Sequence, residues 1–158
     1  MKRVAVLGAT GMAGHVIAIY LEERGYDVYR MSRSINPSEK NARIDACNLT
    51  RLNEWLEEIK PEIIVNAIGI LPKEADNRPD LAVLLNSYLP QMLAQKYKNS
   101  RTKLIHLSTD CVFSGSTGGY KEDSFKDGES VYDRTKALGE VINDKDLTFR
   151  MSIIGPDI

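Results

Sequence analysis

Tyr132 and Lys136 stand one helical turn apart in sequence, and so on one face of a helix. A phenol, with an ordinary pKa of about 10, is a reluctant proton donor near neutrality unless a nearby cation lowers that value. Lys136 can supply the cation. Thr109, a hydroxyl just after a strand-like segment, can hold a carbonyl oxygen beside the phenol. These three residue types suit hydride transfer to a ketone, which leaves an alkoxide that must receive a proton. The pair says little by itself: with seven tyrosines in the chain, a Tyr-x-x-x-Lys match also arises from an unrelated Tyr and Lys on an exposed helix.

Its company gives the pair weight. Gly8-Ala9-Thr10-Gly11-Met12-Ala13-Gly14 follows the apolar segment Val4–Leu7 and opens into the helical pattern Val16, Ile17, Tyr20, Leu21. A strand, a glycine turn and a helix in that order cradle phosphate, because glycines admit a close backbone approach and the helix start offers free N–H groups. The spacing is G-x-x-G-x-x-G, one residue off the usual dinucleotide fingerprint G-x-G-x-x-G. A dinucleotide is the expected ligand, and Lys136 can also donate to its ribose hydroxyls. The second strand ends Met31-Ser32-Arg33-Ser34 without the carboxylate that grips the ribose 2′-hydroxyl of NAD. A hydroxyl at Ser32 and a guanidinium at Arg33 suit a 2′-phosphate, so NADP is favoured and NAD is the alternative. The plainer reading of Arg33 is a solvated surface charge.

The elements that must position these residues alternate between strand and helix. Strands are expected at Val4–Leu7, Asp27–Met31, Ala42–Ile44, Ile63–Val65, Lys103–Leu107 and Leu147–Ile153. Helices are expected from Met12 to Arg24, capped by Gly25; from a Thr50 N-cap to Pro61; from Leu81 to Tyr97, kinked or divided at Pro90; and from Val131 to Asn143. Alternation with continuous apolar strands predicts the α/β class: a doubly wound, Rossmann-type parallel sheet covered on both faces. Ligands of such sheets bind beyond the carboxyl ends of the strands. The glycine turn, Asn66-Ala67-Ile68-Gly69 and Ser108-Thr109-Asp110 all satisfy that rule. Small polar residues also end strands for purely structural reasons. The Gly-, Ser- and charge-rich stretch 112–130 is the expected place for substrate contacts, with an Ω-loop as the structural alternative.

Composition narrows the rest. A chain of 158 residues with 42% hydrophobic and 27% charged residues reads as one domain spanning 1–158. The net charge of -1 gives no attraction to nucleic acid or to an anionic membrane. No apolar run approaches the roughly 20 residues of a membrane span, no leader is expected, and a cytoplasmic location is. Cys47 and Cys111 read as free thiols, Cys111 as a packing cysteine; neither His15 nor His106 has metal-ligand company, and His106 is expected to point into the sheet.

The glycine pattern, Asn66-Ala67, Ser108-Thr109-Asp110-Cys111-Val112-Phe113 and Tyr132-Asp133-Arg134-Thr135-Lys136 with Gly139-Glu140 resemble the extended short-chain dehydrogenase/reductases. In particular they resemble the dTDP-4-dehydrorhamnose reductase branch, with its "STD-x-VF" and "Y-G-x-[ST]-K-x-x-G-E" stretches. The resemblance implies a reductase of a nucleotide-linked 4-keto sugar with Thr109, Tyr132 and Lys136 as its catalytic trio. It implies that Gly8, Thr10, Gly11, Met12 and Gly14 hold the pyrophosphate, that Asp45 and Ala46 lie by the adenine, and that Ala67 and Ile68 line the cofactor path, with Asn66 ending their strand. It places Asn86 at a position that is either structural or near the cofactor, and Tyr120, Glu122 and Asp123 in the substrate loop. A homodimer is compatible with it. Two departures stand out: Asp133 replaces the usual glycine, beside Tyr132 and Lys136, and the chain stops at Gly155-Pro156-Asp157-Ile158, where the family continues with a substrate-binding part. The domain is thus expected to be the cofactor-binding portion alone. Dehydrating relatives carry Asp-Glu after the threonine, where this chain has Asp110-Cys111, so reduction is the expected reaction. A non-catalytic NAD(P)-binding regulatory subunit and an NAD-dependent epimerase or dehydratase are the alternatives.

Overall fold

The computed structural model describes residues 1–153; Gly155–Ile158, singled out above, lie outside the described residues. Six strands form one parallel sheet in the order β3-β2-β1-β4-β5-β6: β1 (Arg3–Leu7), β2 (Asp27–Ser32), β3 (Asn41–Arg43), β4 (Ile63–Asn66), β5 (Lys103–Thr109) and β6 (Leu147–Met151). The chain winds outward from β1 to β3, then returns to β4 on the other side of β1. The crevice between β1 and β4 is therefore the switch point where such sheets bind ligands. None of the helices is long and apolar enough to cross a membrane among the described residues.

Alternation along the strands sorts the core into two layers. Ala5, Leu7, Met31, Ile64 and Leu104 face α2 (Leu49–Ile59) and the helices that precede β5. Val4, Val6, Val28 and Val65 face Ala18 of α1 (Met12–Glu23). On α1 itself Val16, Ile19 and Tyr20 are about half exposed. So are Leu147 and Phe149 on β6, the outermost strand on its side of the sheet.

Most boundaries agree with the sequence reading to within a residue or two, and the differences have causes. The cap of α2 is Asn48, whose carboxamide accepts the Arg51 N–H at 3.0 Å, rather than Thr50, which lies inside the helix. Ser108 and Thr109 belong to β5 instead of following it. Residues 72–82 form two short helices, α3 (Pro72–Asn77) and α4 (Pro79–Ala82), that no apolar period announces. Their signal is a proline at the first helical position of each. The helix expected to kink or divide at Pro90 is divided: a π-helical turn, Val83–Tyr88, runs into α5 (Leu89–Lys96), with the Leu89 N–H donating to the Leu84 carbonyl five residues back. Proline has no N–H to offer the Asn86 carbonyl four residues before it, and the wider turn accommodates its ring.

That carbonyl is where α6 (Val131–Gly139) sits down. A Cβ on Gly139 would overlap the Asn86 oxygen, and would lie 2.9 Å from the Asn86 carbonyl carbon and 3.2 Å from Cγ of Pro90. The helix ends there, with Glu140 already extended, four residues short of the expected Asn143. The Asn86 side chain completes the joint: its Oδ1 accepts the Ile70 N–H at 2.7 Å, and its Nδ2 donates to the Ile70 carbonyl and to Thr135 Oγ1. The Ser87 hydroxyl donates to the Thr135 carbonyl at 2.7 Å.

Two expectations follow. Gly139→Ala should cost about 1–3 kcal/mol, or roughly 2–12 °C in Tm, by forcing α6 off the π turn; calorimetry that finds no loss would sink this account of the joint. The second concerns His106, which is wholly buried on β5, as expected. Its Nδ1 lies 3.2 Å from Asn66 Nδ2, a donor, so the neutral ring keeps its proton on Nε2, which has no partner. Burial, reinforced by the charge of Lys136, pushes its pKa from 6.5 down to about 3. The unfolded chain therefore binds a proton that the folded one refuses, and stability falls as pH drops from 6.5 toward 3. Urea titrations should show His106→Gln flattening that decline between pH 6.5 and 4.5, above the range where carboxylates join.

Candidate active site

Gly8 begins the site because its backbone turns left-handed (φ +79°), a conformation that strains residues with a Cβ. A Cβ there would also press on the Ala67 carbonyl at 3.1 Å and on Ile68. Gly14 lies against the carbonyl of Gly8, where any Cβ would overlap it, so the first turn of α1 lies directly on the loop. Gly11 is the N-cap of α1; it supplies no side-chain cap, and the first turn holds no acidic residue. The helix start thus presents its N–H groups and positive dipole end to whatever lies beyond the strand ends.

Around this turn is a cleft of about 210 Å³ between the ends of β1, β2 and β4. Of the predicted cofactor residues, Gly8, Thr10, Gly11, Ser32, Arg33, Asp45, Ala46, Ala67 and Ile68 line it. Met12 and Gly14 do not: Met12 is 38% exposed on α1, and Gly14 acts from behind through its contact with Gly8. Asn66 is also behind the wall, where its Oδ1 accepts the Ile68 N–H at 3.2 Å and shapes the loop. The sequence reading missed Met31, Ile44, Ile70 and Leu85, which supply the apolar lining. Their signal was available as apolar residues at strand ends and on the helix facing them.

Hydroxyls fix the β2 side of the cleft. Thr10 donates to Ser32 Oγ at 2.8 Å, and that same oxygen accepts the N–H groups of Ser34 and Ile35. The backbone after β2 is thereby locked, with Arg33 exposed at its rim. Asp45 turns inward on itself, its carboxylate accepting the Cys47 N–H at 2.9 Å.

The second half of the site gathers at the end of β5. Thr109 is buried; its Oγ1 accepts the Cys111 N–H at 3.2 Å and caps the short 3-10 turn Asp110–Val112. Ser130 and Asp133 make a reciprocal capping box that starts α6, with Asp133 N donating to Ser130 Oγ and Ser130 N to Asp133 Oδ2, each at 3.0 Å. Asp133 therefore has a structural task at a position where glycine was the expectation. One turn on, Lys136 is 4% exposed, and its ammonium donates to the Leu107 carbonyl at 2.6 Å. A Cβ on Gly69, at the cleft wall, would lie 3.8 Å from Lys136 Nζ, so the two halves of the site adjoin.

The charge states correct one expectation. Burial raises the pKa of the Tyr132 phenol, the Thr109 hydroxyl pulls it back, and Cys111, Asp133 and Asp110 push it up further. Lys136 is not what sets it: its proton lies toward Leu107, and burial lowers its own pKa to about 8 while Glu140 holds it up. Cys111 is exposed, with Sγ 3.8 Å from Asp110 Oδ1, and so is not the packing cysteine expected. Cys47 is exposed as well.

The chain matches the family model described as the RmlD substrate binding domain over residues 1–154. It is 34% identical over 140 residues to dTDP-4-dehydrorhamnose reductase of Streptomyces griseus, covering 87% of this chain and 43% of that one. It is 29% identical over 143 residues to Methionine adenosyltransferase 2 subunit beta of Xenopus laevis, covering 88% and 42%. Among solved structures it superposes with TM-score 0.80 and 27% identity on the Bacillus anthracis dTDP-4-dehydrorhamnose reductase in complex with NADP, covering 95% and 53%. The chain thus spans about half the length of the relatives it matches. Sheet order, glycine turn and family model agree: the chain belongs to the RmlD substrate binding domain family, on the dTDP-4-dehydrorhamnose reductase-like branch of the extended short-chain dehydrogenase/reductases.

Proposed function

We propose that this chain is the cofactor-binding and catalytic portion of an NADP-dependent reductase acting on a nucleotide-linked 4-keto sugar. The observation that carries the reading is the meeting of Thr109, Tyr132 and Lys136 beside the glycine-walled cleft. The cleft fits a dinucleotide on its own terms: Gly14 lets the first turn of α1 lie against the left-handed Gly8 turn, and the uncapped start of that helix suits a pyrophosphate. Gly8, Thr10 and Gly11 would hold the phosphates, Asp45 and Ala46 the adenine end, and Ser32 with Arg33 a 2′-phosphate. When bound, the reduced nicotinamide supplies a hydride.

The chain's own residues do the rest. Thr109 holds the ketone oxygen at the phenol. Tyr132 gives its hydroxyl proton to the oxygen as negative charge develops there. The raised pKa keeps the phenol protonated at neutral pH, and the transfer is driven by the far more basic alkoxide that hydride addition leaves on the ketone oxygen. Lys136, anchored on Leu107, is left with donors for the cofactor ribose.

Likeness to Methionine adenosyltransferase 2 subunit beta favours a second reading, a non-catalytic binding subunit, since that match covers as much of the chain as the reductase match. One experiment separates the two. NADPH is titrated by fluorescence, and reduction of a dTDP-4-keto-6-deoxy sugar is then followed by loss of NADPH absorbance. Tyr132→Phe should slow reduction by about 10²–10⁴ with NADPH affinity nearly unchanged; unchanged turnover removes the mechanism, and Tyr132-dependent turnover in the parent chain excludes the subunit reading. Arg33→Ala should weaken NADPH about tenfold or more and leave NADH unaffected, as expected for loss of a charge-assisted phosphate contact. Equal losses for both nucleotides would instead mean that Arg33 does not read the 2′-phosphate.

A further inference from the structure

Glu140, the residue after α6, carries a carboxylate that is 2% exposed and receives four donors. Its Oε1 accepts from Ser108 Oγ at 2.9 Å and from Arg150 Nε at 2.7 Å; its Oε2 accepts from Arg150 Nη2 at 2.9 Å and lies 2.7 Å from Lys126 Nζ. All four lone-pair directions are thus used. The donors come from three places: Ser108 from β5, Arg150 from β6 and Lys126 from the stretch 112–130. Arg150 carries the connection further into that stretch. Its Nη1 donates to the Glu122 carbonyl at 3.1 Å, and its guanidinium lies 4.8 Å from the centre of the Phe113 ring. Phe113 in turn stacks on Tyr120 at 4.5 Å. A segment without a sheet or helix of its own is therefore held at Phe113, Glu122 and Lys126 through one carboxylate.

The same carboxylate reaches the site from the other side. The peptide between Leu107 and Ser108 is clasped at both ends: Lys136 donates to the Leu107 carbonyl, and the Ser108 hydroxyl donates to Glu140. Thr109 is the next residue. We propose that Glu140 is a positioning residue that couples the 112–130 segment to Lys136, so that the hold of Lys126 on the carboxylate governs how firmly the lysine keeps its proton. This rests on the assignment of Lys136 to the reaction proposed above.

The electrostatics support the geometry. Lys136 interacts electrostatically with His106 from β5 and with Glu140 just beyond its own helix, and the neutral Gly69 adjoins its ammonium group from the cleft wall. Glu140 is the group that raises the Lys136 pKa against burial. Lys126 and Arg150 draw on the same negative charge and lower the pKa of Glu140 to about 2. Glu140 stays ionised throughout, so a substrate that pulled Lys126 away would remove a positive charge that offsets the carboxylate at Lys136.

The test is an NMR titration of the Lys136 ε-carbon in the 158-residue chain labelled with ¹³C-lysine, the resonance assigned with Lys136→Arg. Glu140→Gln, which keeps an acceptor for Ser108, should lower the midpoint by about one pH unit. Lys126→Met should raise it. Opposite shifts are not produced by a bond that only braces the fold. Both variants should also speed proteolytic cleavage between residues 112 and 130. Midpoints unmoved in either variant would reduce Glu140 to a structural brace and overturn the proposal; if Glu140→Gln does not fold, Lys126→Met alone decides, an unmoved or lowered midpoint being the refutation. Should the parent chain fail to bind NADPH, the proposed function falls while the titration still reads the coupling.

Discussion

Helix α6 reaches the end of β5 only because position 139 has no side chain. Its backbone lies on the carbonyl of Asn86, to which Pro90 offers no N–H from four residues on, and the π turn around that carbonyl provides the seat. From there the rest is geometry. Thr135 meets the Asn86 carboxamide, Lys136 meets the Leu107 carbonyl, and Tyr132 is carried to Thr109. A glycine and a proline on separate elements therefore position a phenol and an ammonium group to which neither is adjacent in sequence. The glycine turn after β1 works by the same rule, since Gly14 lets α1 lie on Gly8 and keeps the cleft open. Both halves of the site depend on places where backbone meets backbone.

Burial also sets the charge states. His106 is kept neutral, the phenol is kept protonated, and Lys136 holds its proton weakly against a single carboxylate. These groups sit where water is scarce, so each responds to its neighbours more than an exposed side chain would. The simple picture of an ammonium group acidifying a phenol one turn away gives way to a different one. Here Thr109 and the burial of the ring decide the state of Tyr132, and Lys136 is directed to the backbone of β5.

Much of this was readable in the residues. Alternating apolar segments and glycine punctuation point to a parallel doubly wound sheet, and the strand-end rule picks out Gly8, Ala67 and Thr109 before any coordinates. What could not be read has a common cause. The π turn, the short helices at 72–82 and the Asn48 cap depend on proline chemistry and single hydrogen bonds rather than on a repeating pattern. The direction of the Tyr132 shift depends on burial, which a Tyr-x-x-x-Lys spacing does not encode. Glu140 was visible only as the last letter of a motif; its four donors come from residues 14 to 32 positions earlier and 10 later in the chain.

The two margins of the sheet are finished differently. At one side β3 is three residues long and carries Asn41 and Arg43, a poor template for another strand. At the other, β6 runs for five residues with Leu147 and Phe149 half open to solvent. Among the described residues nothing pairs with its outer row of amides and carbonyls. Kept alone at high concentration, this polypeptide would stick to itself along that row, and a charged residue in place of Phe149 would be the natural remedy for keeping it dispersed.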